Sequence, residues 1–517
     1  MACFDAQGKT DTFSDRRWFP YQKGGEVRKW FGNHSFVVNW QNDGREIKDI
    51  SNEKYPYLKG NLDFVLGGQK YFFNPGYTWS SISSGKFSLR AFDEGFLFDA
   101  KGQCFFPKFA PTGKALYCML NSCVAEVYFK ALSPTVDYNS GIISKIPLPE
   151  AVHKDERVTE TAQYLKNLAR ADWDAYETSW DFTTLPLLQP NHRAETLEDT
   201  YTTLRTHWQG MTDEMQRLEE ENNRIFIDAY GLKDELTPEV PLKEITLTCN
   251  PAYRYGIKND AEANETRLRA DTMAEFLSYA VGCMFGRYSL DAPGLILANQ
   301  GEGLEDYLAR MGGTEGGLTF TPDADNVIPV LNSDWFADDI TDRFRLFLRQ
   351  TFGEERFREN LAFIEASLGK DIRKFFTKDF YTDHVKRYKK RPIYWMFSSP
   401  KGTFNALVYM HRYRSDTVSV ILNDYLREFI NKLEGERGRL DKLSDDQTAS
   451  QGQRTKALKD AAVVAKQIDE LNEWEREVVF PLAQQKIEID LDDGVKANYP
   501  LFGPALKKII GLEAKDD

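Results

Sequence analysis

Short alternations of hydrophobic and polar residues run through the first 150 positions and predict β-strands. In Phe36–Trp40 every second residue is large and apolar, as in a strand with one buried face. Within Tyr77–Pro107, apolar runs are interrupted by Gly and Asp every eight to ten residues. This spacing predicts a compact antiparallel sheet with hydroxyl-rich loops, and such loops suit the reading of polar base edges.

Helical spacing and turn signals mark several elements in the remainder of the chain. The pattern predicts helices at Leu116–Leu132 and Met273–Phe285 and mostly helical structure over 334–384. A short strand is predicted at Glu244–Cys249, and a Gly-rich loop is predicted at Gly301–Gly317. The pattern as a whole predicts an α+β fold.

Beyond Asp416 the apolar positions recur every three or four residues, at Val418, Ile421, Leu422, Tyr425, Phe429 and Leu433. A polar break at Ser444–Thr455 separates two long charged segments. This arrangement predicts a long terminal helical hairpin or coiled-coil arm, whose role is packing or interaction rather than catalysis.

Changes in composition and in the spacing of apolar residues along the chain predict five segments. They are a polar linker at 1–17, a β-rich domain at 18–150, a helical connector at 151–231, a mainly helical domain at 232–415, and a helical arm with a tail at 416–517.

Composition narrows the class of protein. A chain of 517 residues with a net charge of −13 is not basic throughout, so any nucleic-acid contact must use a local patch. The six cysteines are scattered, and no His or Cys lies near Cys118 and Cys123 at zinc-ligand spacing, so we expect no metal site. Scattered cysteines and the lack of a membrane-length apolar run favour a reduced, cytoplasmic protein.

Six long blocks of the sequence carry a resemblance to a known family: Arg16–Lys48, Tyr77–Pro107, Leu120–Pro149, Ile245–Gly256, Phe276–Glu302 and Lys390–Tyr413. They resemble PglX proteins, the adenine-specific DNA methyltransferases of type 1 BREX phage-defence systems. The resemblance implies that 18–150 is a DNA target-recognition domain and that the intact enzyme uses S-adenosylmethionine. It also implies duplex DNA and other BREX components as partners.

Two motifs that an adenine-N6 methyltransferase needs are missing or altered. The glycine pairs Gly67-Gly68, Gly312-Gly313 and Gly316-Gly317 do not stand between a clear strand and a helix, as a cofactor turn requires. The block Asn250-Pro251-Ala252-Tyr253 resembles the tetrapeptide that clamps a flipped adenine, but Ala replaces its second proline. We interpret it as a structural turn in which Asn250 bonds the local backbone.

The chain is therefore expected to lack catalytic residues and a bound cofactor. Because PglX-like proteins carry the methyltransferase domain before the recognition domain, the sequence is interpreted as the C-terminal portion of such an enzyme. We expect the chain alone to transfer no methyl group. Two alternatives remain: a stand-alone DNA specificity subunit that recruits a separate methyltransferase, and a non-enzymatic protein-interaction scaffold.

Two groups of residues are the candidate DNA contacts. From Lys370 to Arg414 there are twelve Lys or Arg against three Asp, and the candidates there are Lys386, Arg387, Lys389, Lys390, Arg391 and Lys401. Ser398–Gly402 is expected to add backbone and hydroxyl donors to phosphate. Cations and hydroxyls among the turns of the recognition region form the second group, namely Lys23, Arg28, Lys29, Ser83, Ser84, Lys86 and Arg90.

Overall fold

The computed structural model describes residues 4, 6–82, 86–132, 137–153, 155–256, 260–313 and 317–512. The chain divides into two compact units. Unit 1 comprises Met1–Phe182 and Thr202–Leu268, and unit 2 comprises Thr183–Tyr201 and Arg269–Asp517. Small sheets surrounded by many helices confirm the predicted α+β class, and the C-terminal region is helical as predicted.

Among its described residues, unit 1 contains two small sheets. The first has the order β3-β1-β6, and the second has the order β2-β5-β4-β7. Strand β4 pairs antiparallel with β5 and β7, which confirms the antiparallel sheet predicted within Tyr77–Pro107. The strands are β1 (Trp18–Gln22), β2 (Trp30–Phe31), β3 (Phe36–Asn39), β4 (Gly76–Ser80), β5 (Arg90–Phe92), β6 (Leu97–Phe98) and β7 (Gly102–Phe105).

Strand β3 exists where predicted, but its predicted face is buried only in part. Val38 packs against the core cluster that includes Trp40, whereas Phe36 is 39% exposed, as is Val37 on the other face. Among the described residues β3 is an outer strand of its sheet and pairs with β1. Trp40, which follows the strand, is buried as expected.

The helices from the N-terminus to Met284 correct two predicted elements. Leu116–Leu132 is not one helix, because α2 ends at Leu120 and α3 begins at Cys123. Glu244–Cys249 is not a strand but follows a 3₁₀ turn at Leu242–Glu244. The helices are α1 (Gln41–Lys54), α2 (Ala110–Leu120), α3 (Cys123–Leu132), α4 (Ser140–Ile143), α5 (Glu150–His153), α6 (Glu156–Asp174), α7 (Leu197–Tyr230), α8 (Pro251–Tyr255) and α9 (Ala261–Met284).

Side chains explain why Glu244–Cys249 is not a strand. The Asn250 amide donates to the carbonyls of Leu242 and Ile245 at 2.7 and 2.9 Å. The Asp172 carboxylate accepts from the backbone N–H groups of Thr248 and Cys249 at 2.7 and 2.8 Å. Backbone groups that a neighbouring strand would otherwise pair are thus satisfied by side chains.

Unit 2 contains one antiparallel sheet among its described residues, in the order β8-β10-β9. Its strands are β8 (Val327–Pro329), β9 (Tyr394–Ser398) and β10 (Asn405–Tyr409), and they are almost entirely buried. The helices after β8 confirm the helical prediction for 334–384. The Gly-rich loop predicted at Gly301–Gly317 includes a helix, α10 (Leu304–Arg310).

The predicted terminal helical arm is confirmed. All six of its spaced apolar positions are buried, and Leu440 packs with Ala457 and Ala461 in a small cluster. The other helices are α11 (Ile340–Phe352), α12 (Phe357–Leu368), α13 (Ile372–Phe375), α14 (Tyr381–Arg387), α15 (Thr417–Val420), α16 (Arg427–Asp445), α17 (Gln451–Trp474), α18 (Phe480–Gln485) and α19 (Gly494–Asn498). Among the helices of the described chain, none has the length and apolar character needed to cross a membrane.

Candidate nucleic-acid interface

Arg28, a candidate DNA contact in unit 1, is buried in an ion pair. Its side chain is 4% exposed, and Nη2 lies 2.6 Å from the Oδ2 atom of Asp172, whose side chain is fully buried. Nη1 donates to Thr248 Oγ1 at 2.8 Å, and Nε donates to the Phe31 carbonyl at 2.9 Å. The guanidinium is therefore occupied within the fold and closed to a ligand in this conformation.

Lys29 and Arg90 are similarly internal. The Lys29 ammonium pairs with Glu219, which also accepts a 2.7 Å hydrogen bond from the Trp30 indole. Arg90 is fully buried, and burial lowers the pKa of its guanidinium to about 10. These two charges organise the interior of unit 1 rather than its surface.

Lys86 and Lys23 are the more accessible cations of this group. Lys86 is 49% exposed, and its ammonium pairs with Glu126 at 2.8 Å and with Glu244 at 2.7 Å. The Lys23 ammonium lies 5.3 Å from the centroid of the Phe36 ring. The candidates Ser83 and Ser84 lie outside the described residues.

The block at Asn250 has the structural role expected from the sequence. Asn250 caps α8, and its Oδ1 accepts from the backbone N–H of Ala252 at 3.1 Å. The Tyr253 hydroxyl donates to the Val27 carbonyl at 2.7 Å. With its amide donating to two carbonyls as well, the Asn250 side chain is committed to the backbone around it.

The glycine pairs do not fit the methionine part of S-adenosylmethionine. Gly67 and Gly68 lie between two 3₁₀ turns, Leu62–Phe64 and Gln69–Tyr71, rather than between a strand and a helix. Gly312-Gly313 follows the C-terminal end of α10, and Gly316 lies outside the described residues. A cofactor turn instead needs backbone N–H groups at the start of a helix.

In unit 2, the basic segment Lys386–Arg391 forms the end of α14 and the turn after it. Lys389 and Lys390 both have left-handed backbone conformations, with φ values of 49° and 63°. Each such conformation costs a residue with a β-carbon roughly 1–2 kcal/mol, and glycine usually takes this place at the end of a helix. The fold thus holds two lysines where the backbone favours glycine.

His384 helps to hold this turn in place. Its Nε2 accepts hydrogen bonds from the backbone N–H groups of Ile393 and Tyr394 at 3.2 and 3.1 Å. Burial, together with the charges of Arg387 and Arg287, lowers the pKa of the His384 ring well below its ordinary value. The ring is therefore neutral and can accept. Arg387 itself is engaged by Asp383 at 2.7 Å.

The turn between β9 and β10 offers a side chain rather than the predicted backbone donors. The N–H groups of Ser399 and Gly402 already donate within the turn, to Phe404 and Ser399 carbonyls respectively. The N–H of Lys401 donates to Glu470 Oε1 at 2.7 Å. Because its backbone is anchored in this way, Lys401 presents its exposed side chain from a fixed position.

Beside this turn lies a groove of about 1290 Å³, here called the lysine groove. The described residues that line it include five lysines and no Asp or Glu: Lys378, Lys401, Lys496, Lys507 and Lys508. The C-terminal segment reaches the groove because Lys507 N–H donates to the Met396 carbonyl of β9 at 2.9 Å. Such a concentration of one charge in a chain with a net charge of −13 favours an anionic ligand.

The interaction between charges within the groove agrees with a site for an anionic ligand. Lys507 is half-buried, and burial together with the neighbouring Lys378 charge lowers the pKa of its ammonium. Lys390 joins the groove to the basic turn, because its Nζ lies against Gly511, one of the lining residues. Three of the five lysines come from Lys496–Lys508, a segment that the sequence did not identify as basic. The pairing with β9 brings Lys507 and Lys508 beside Lys401.

Comparisons with known proteins find relatives that are similar over nearly all of the chain. In an alignment 526 residues long, the chain is 35% identical to the adenine-specific methyltransferase BrxX of Escherichia coli O9:H4 (strain HS). The alignment covers 98% of this chain and 41% of the relative. It is 37% identical over 505 residues to the adenine-specific methyltransferase PglX of Lacticaseibacillus casei (strain Zhang), covering 94% of this chain and 39% of the relative. No protein-family model matches the chain.

Both relatives are adenine-specific methyltransferases, and the similarity extends over nearly all of this chain. The chain spans about two fifths of the length of these curated relatives. The resemblance to PglX is confirmed: nearly all of this chain is similar in sequence to a part of the BrxX and PglX proteins.

Proposed function

We propose that this chain is the DNA target-recognition portion of a site-specific adenine-N6 DNA methyltransferase that uses S-adenosylmethionine. The enzyme would mark host DNA in BREX phage defence, with duplex DNA and other BREX components as its partners. The observation that carries the proposal is the lysine groove, because its five lysines stand together without a carboxylate among its described lining residues.

The groove is suited to the backbone of DNA rather than to its bases. Lysine ammonium groups are point charges that attract phosphates without a preferred base edge. Each phosphate that a protein neutralises makes the logarithm of the binding constant fall by about 0.9 for each unit of log salt concentration. In this proposal the groove and the turn Lys386–Arg391 supply affinity. Base reading belongs to the loops of the recognition region.

We propose further that methyl transfer requires a domain that this chain does not include. The poor fit of the glycine pairs Gly67-Gly68 and Gly312-Gly313 to the cofactor supports this, as does the structural role of Asn250. Incubation of the purified chain with duplex DNA and methyl-labelled S-adenosylmethionine is expected to leave adenine unlabelled. Labelled N6-methyladenine above the protein-free background would contradict this part of the proposal.

The test of DNA binding uses Lys401 and Lys508, both exposed lysines of the groove. The Lys401→Ala/Lys508→Ala variant is compared with Lys456→Ala/Lys459→Ala, which removes two exposed lysines from the terminal arm. Fluorescence anisotropy with a labelled duplex of random sequence gives the affinity at several salt concentrations.

The groove variant is expected to bind more weakly. The slope of its log binding constant against log salt concentration should be smaller in magnitude by about two, because each lost phosphate contact reduces it by about one. The arm variant should bind like the wild-type chain. Equal binding by the two variants would exclude the groove as the phosphate site. No binding by the wild-type chain, even at low salt, would exclude the proposed function.

A further inference from the structure

Unit 1 contains a cavity, here called the aromatic pocket, which none of the described candidate DNA contacts lines. Its volume is about 660 Å³, within the range of about 300–1,000 Å³ that is typical of small-ligand sites. Eight aromatic residues are among the described residues that line it, namely Tyr21, Trp40, Phe64, Tyr71, Phe72, Phe98, Phe105 and Phe106.

The wall is held in place by contacts between its own rings. Phe72 lies edge-on to Trp40 and to Phe98, with centroids 5.2 and 5.1 Å apart. Tyr71 stacks on Phe106 at 4.9 Å with an interplanar angle of 3°. A preformed set of fixed aromatic faces suits a flat ligand, because the rings need not be ordered when the ligand binds.

Phe64 stands at the edge of the pocket and is 87% exposed. It belongs to a short 3₁₀ turn, Leu62–Phe64, which Asn61 caps by accepting from the N–H of Asp63 at 3.2 Å. The fold therefore supports a large apolar side chain in water beside an aromatic cavity. An exposed aromatic ring in this position can stack on a base or wedge between bases.

Polar atoms in the wall are also without partners. Trp40 Nε1 and Gln103 Oε1 belong to lining residues, and each is buried with no hydrogen-bond partner. Tyr21 and Asp99 also line the pocket, and burial followed by the Asp99 charge raises the pKa of the Tyr21 phenol. The phenol therefore stays protonated and donates to Asp99. The Gln103 amide is not one of the fixed rings, so it can turn toward a ligand and accept from an exocyclic amino group while Trp40 stays in the wall.

Lysines flank the pocket. The Lys70 ammonium lies 4.9 Å from the centroid of the Tyr71 ring, and Lys101 is an exposed neighbour of the lining residue Ala100. A flat ligand in the pocket would therefore have positive charge close to its edges. Proteins that bind single-stranded nucleic acids hold individual nucleotides with the same combination of stacking surfaces and adjacent cations.

We propose that the aromatic pocket binds one unstacked nucleobase of DNA, with Phe64 stacking on it or filling the gap that it leaves, and with Lys70 and Lys101 beside the flanking phosphates. This inference rests on the proposed function, because it places the base in DNA that the chain already holds. Binding of a paired base would cost the free energy of unpairing and unstacking it. A bulged base is already unpaired, so DNA with a bulged base is the most sensitive probe.

The experiment compares a fully paired duplex of random sequence with the same duplex carrying one bulged 5-iododeoxycytidine. Affinity is measured by anisotropy, and the site of photocrosslinking is mapped by mass spectrometry of the digested chain. The variants are Phe64→Ala and its matched control Tyr57→Ala, since Tyr57 is 69% exposed on the same stretch of chain but does not line the pocket. Substitution of either exposed ring is not expected to disturb the fold.

The wild-type chain is expected to bind the bulged duplex on the order of ten-fold more tightly than the paired duplex. The bulged base can stack on an aromatic ring, and one such stack contributes about that much to affinity. The crosslink should fall on residues 64–72 or 97–106. Phe64→Ala should lose the preference for the bulge, and Tyr57→Ala should keep it. If the wild-type chain binds both duplexes equally or crosslinks elsewhere, the pocket proposal fails while the proposed function stands. If it binds neither duplex, both fail.

Discussion

Arg28 and Asp172 form a buried ion pair in unit 1, with Nη2 and Oδ2 2.6 Å apart and both side chains closed to solvent. The Asp172 carboxylate also holds the N–H groups of Thr248 and Cys249. Three segments far apart in sequence therefore meet at one carboxylate. Arg28 is thus part of the framework that supports the recognition region, although its sequence context made it a candidate DNA contact.

The first prediction separates these two roles of Arg28. Arg28→Met leaves the Asp172 carboxylate buried without its counter-ion, which is expected to lower the free energy of unfolding by about 3–5 kcal/mol. The salt slope of DNA binding should not change for the molecules that remain folded, because no phosphate contact is lost. Denaturant unfolding and anisotropy measure the two quantities.

The control for that prediction is Lys23→Ala, which removes a half-buried cation whose ammonium lies over Phe36. Its effect on stability should stay within about 0.5 kcal/mol, as for most surface substitutions. Arg28 would have to be reassigned as a phosphate contact if Arg28→Met kept full stability and lost about one from the salt slope.

Local patterns predicted much of the fold correctly, because they depend on short-range geometry. The apolar spacing from Val418 to Leu433 identified the buried face of the arm, and the alternation in Phe36–Trp40 identified the buried Trp40. The strand predicted at Glu244–Cys249 failed for the opposite reason. Asp172 satisfies that backbone from a distant helix, and no local pattern records such a partner.

The candidate site was predictable only in part. Lys401 was identified from the charge surplus around it, whereas Lys496, Lys507 and Lys508 come from a separate segment of ordinary composition. Lys507 and Lys508 reach the groove because their segment pairs with β9, through the bridge between Phe397 and Leu506. Likewise, burial of Arg90 depends on the packing of unit 1, and neighbouring residues in the sequence do not reveal it.

The second prediction concerns Lys390, whose backbone φ of 63° favours glycine. Lys390→Gly and Lys390→Ala both remove the charge, but only glycine also removes the β-carbon. The Gly variant is expected to be more stable than the Ala variant by about 1 kcal/mol, measured by denaturant unfolding. Both should lose DNA affinity to the same extent and about one from the salt slope.

Comparing Lys390→Gly with Lys390→Ala separates the effect of the lysine charge from the effect of the backbone conformation at this turn. Equal losses of affinity in the two variants indicate that the lysine ammonium contacts phosphate. If Lys390→Gly instead retained the affinity of the wild-type chain while Lys390→Ala did not, the shape of the turn would be the important property and Lys390 would not be a phosphate contact.

The third prediction concerns His34, which is buried between Phe31 and Phe96 with ring centroids 4.7 Å away on each side. Burial, followed by the charges of Arg90 and Arg170, lowers the pKa of its ring to about 3. In the unfolded chain the pKa returns to about 6.5. The unfolded state therefore binds a proton below that pH that the folded state does not, so stability falls as the pH drops from about 6.5 toward 3.

The size of the effect follows from the two pKa values. One pH unit below the unfolded pKa, at about pH 5.5, His34 should cost unit 1 about 1.4 kcal/mol relative to about pH 7.5. Because His34→Gln removes the titrating ring, the variant should lose about that much less stability between the two pH values than the wild-type chain. Denaturant unfolding at both pH values gives the difference directly, and any constant cost of the substitution cancels. Parallel losses in the two proteins would mean that His34 is protonated in the folded state, with a partner or water that stabilises its charge.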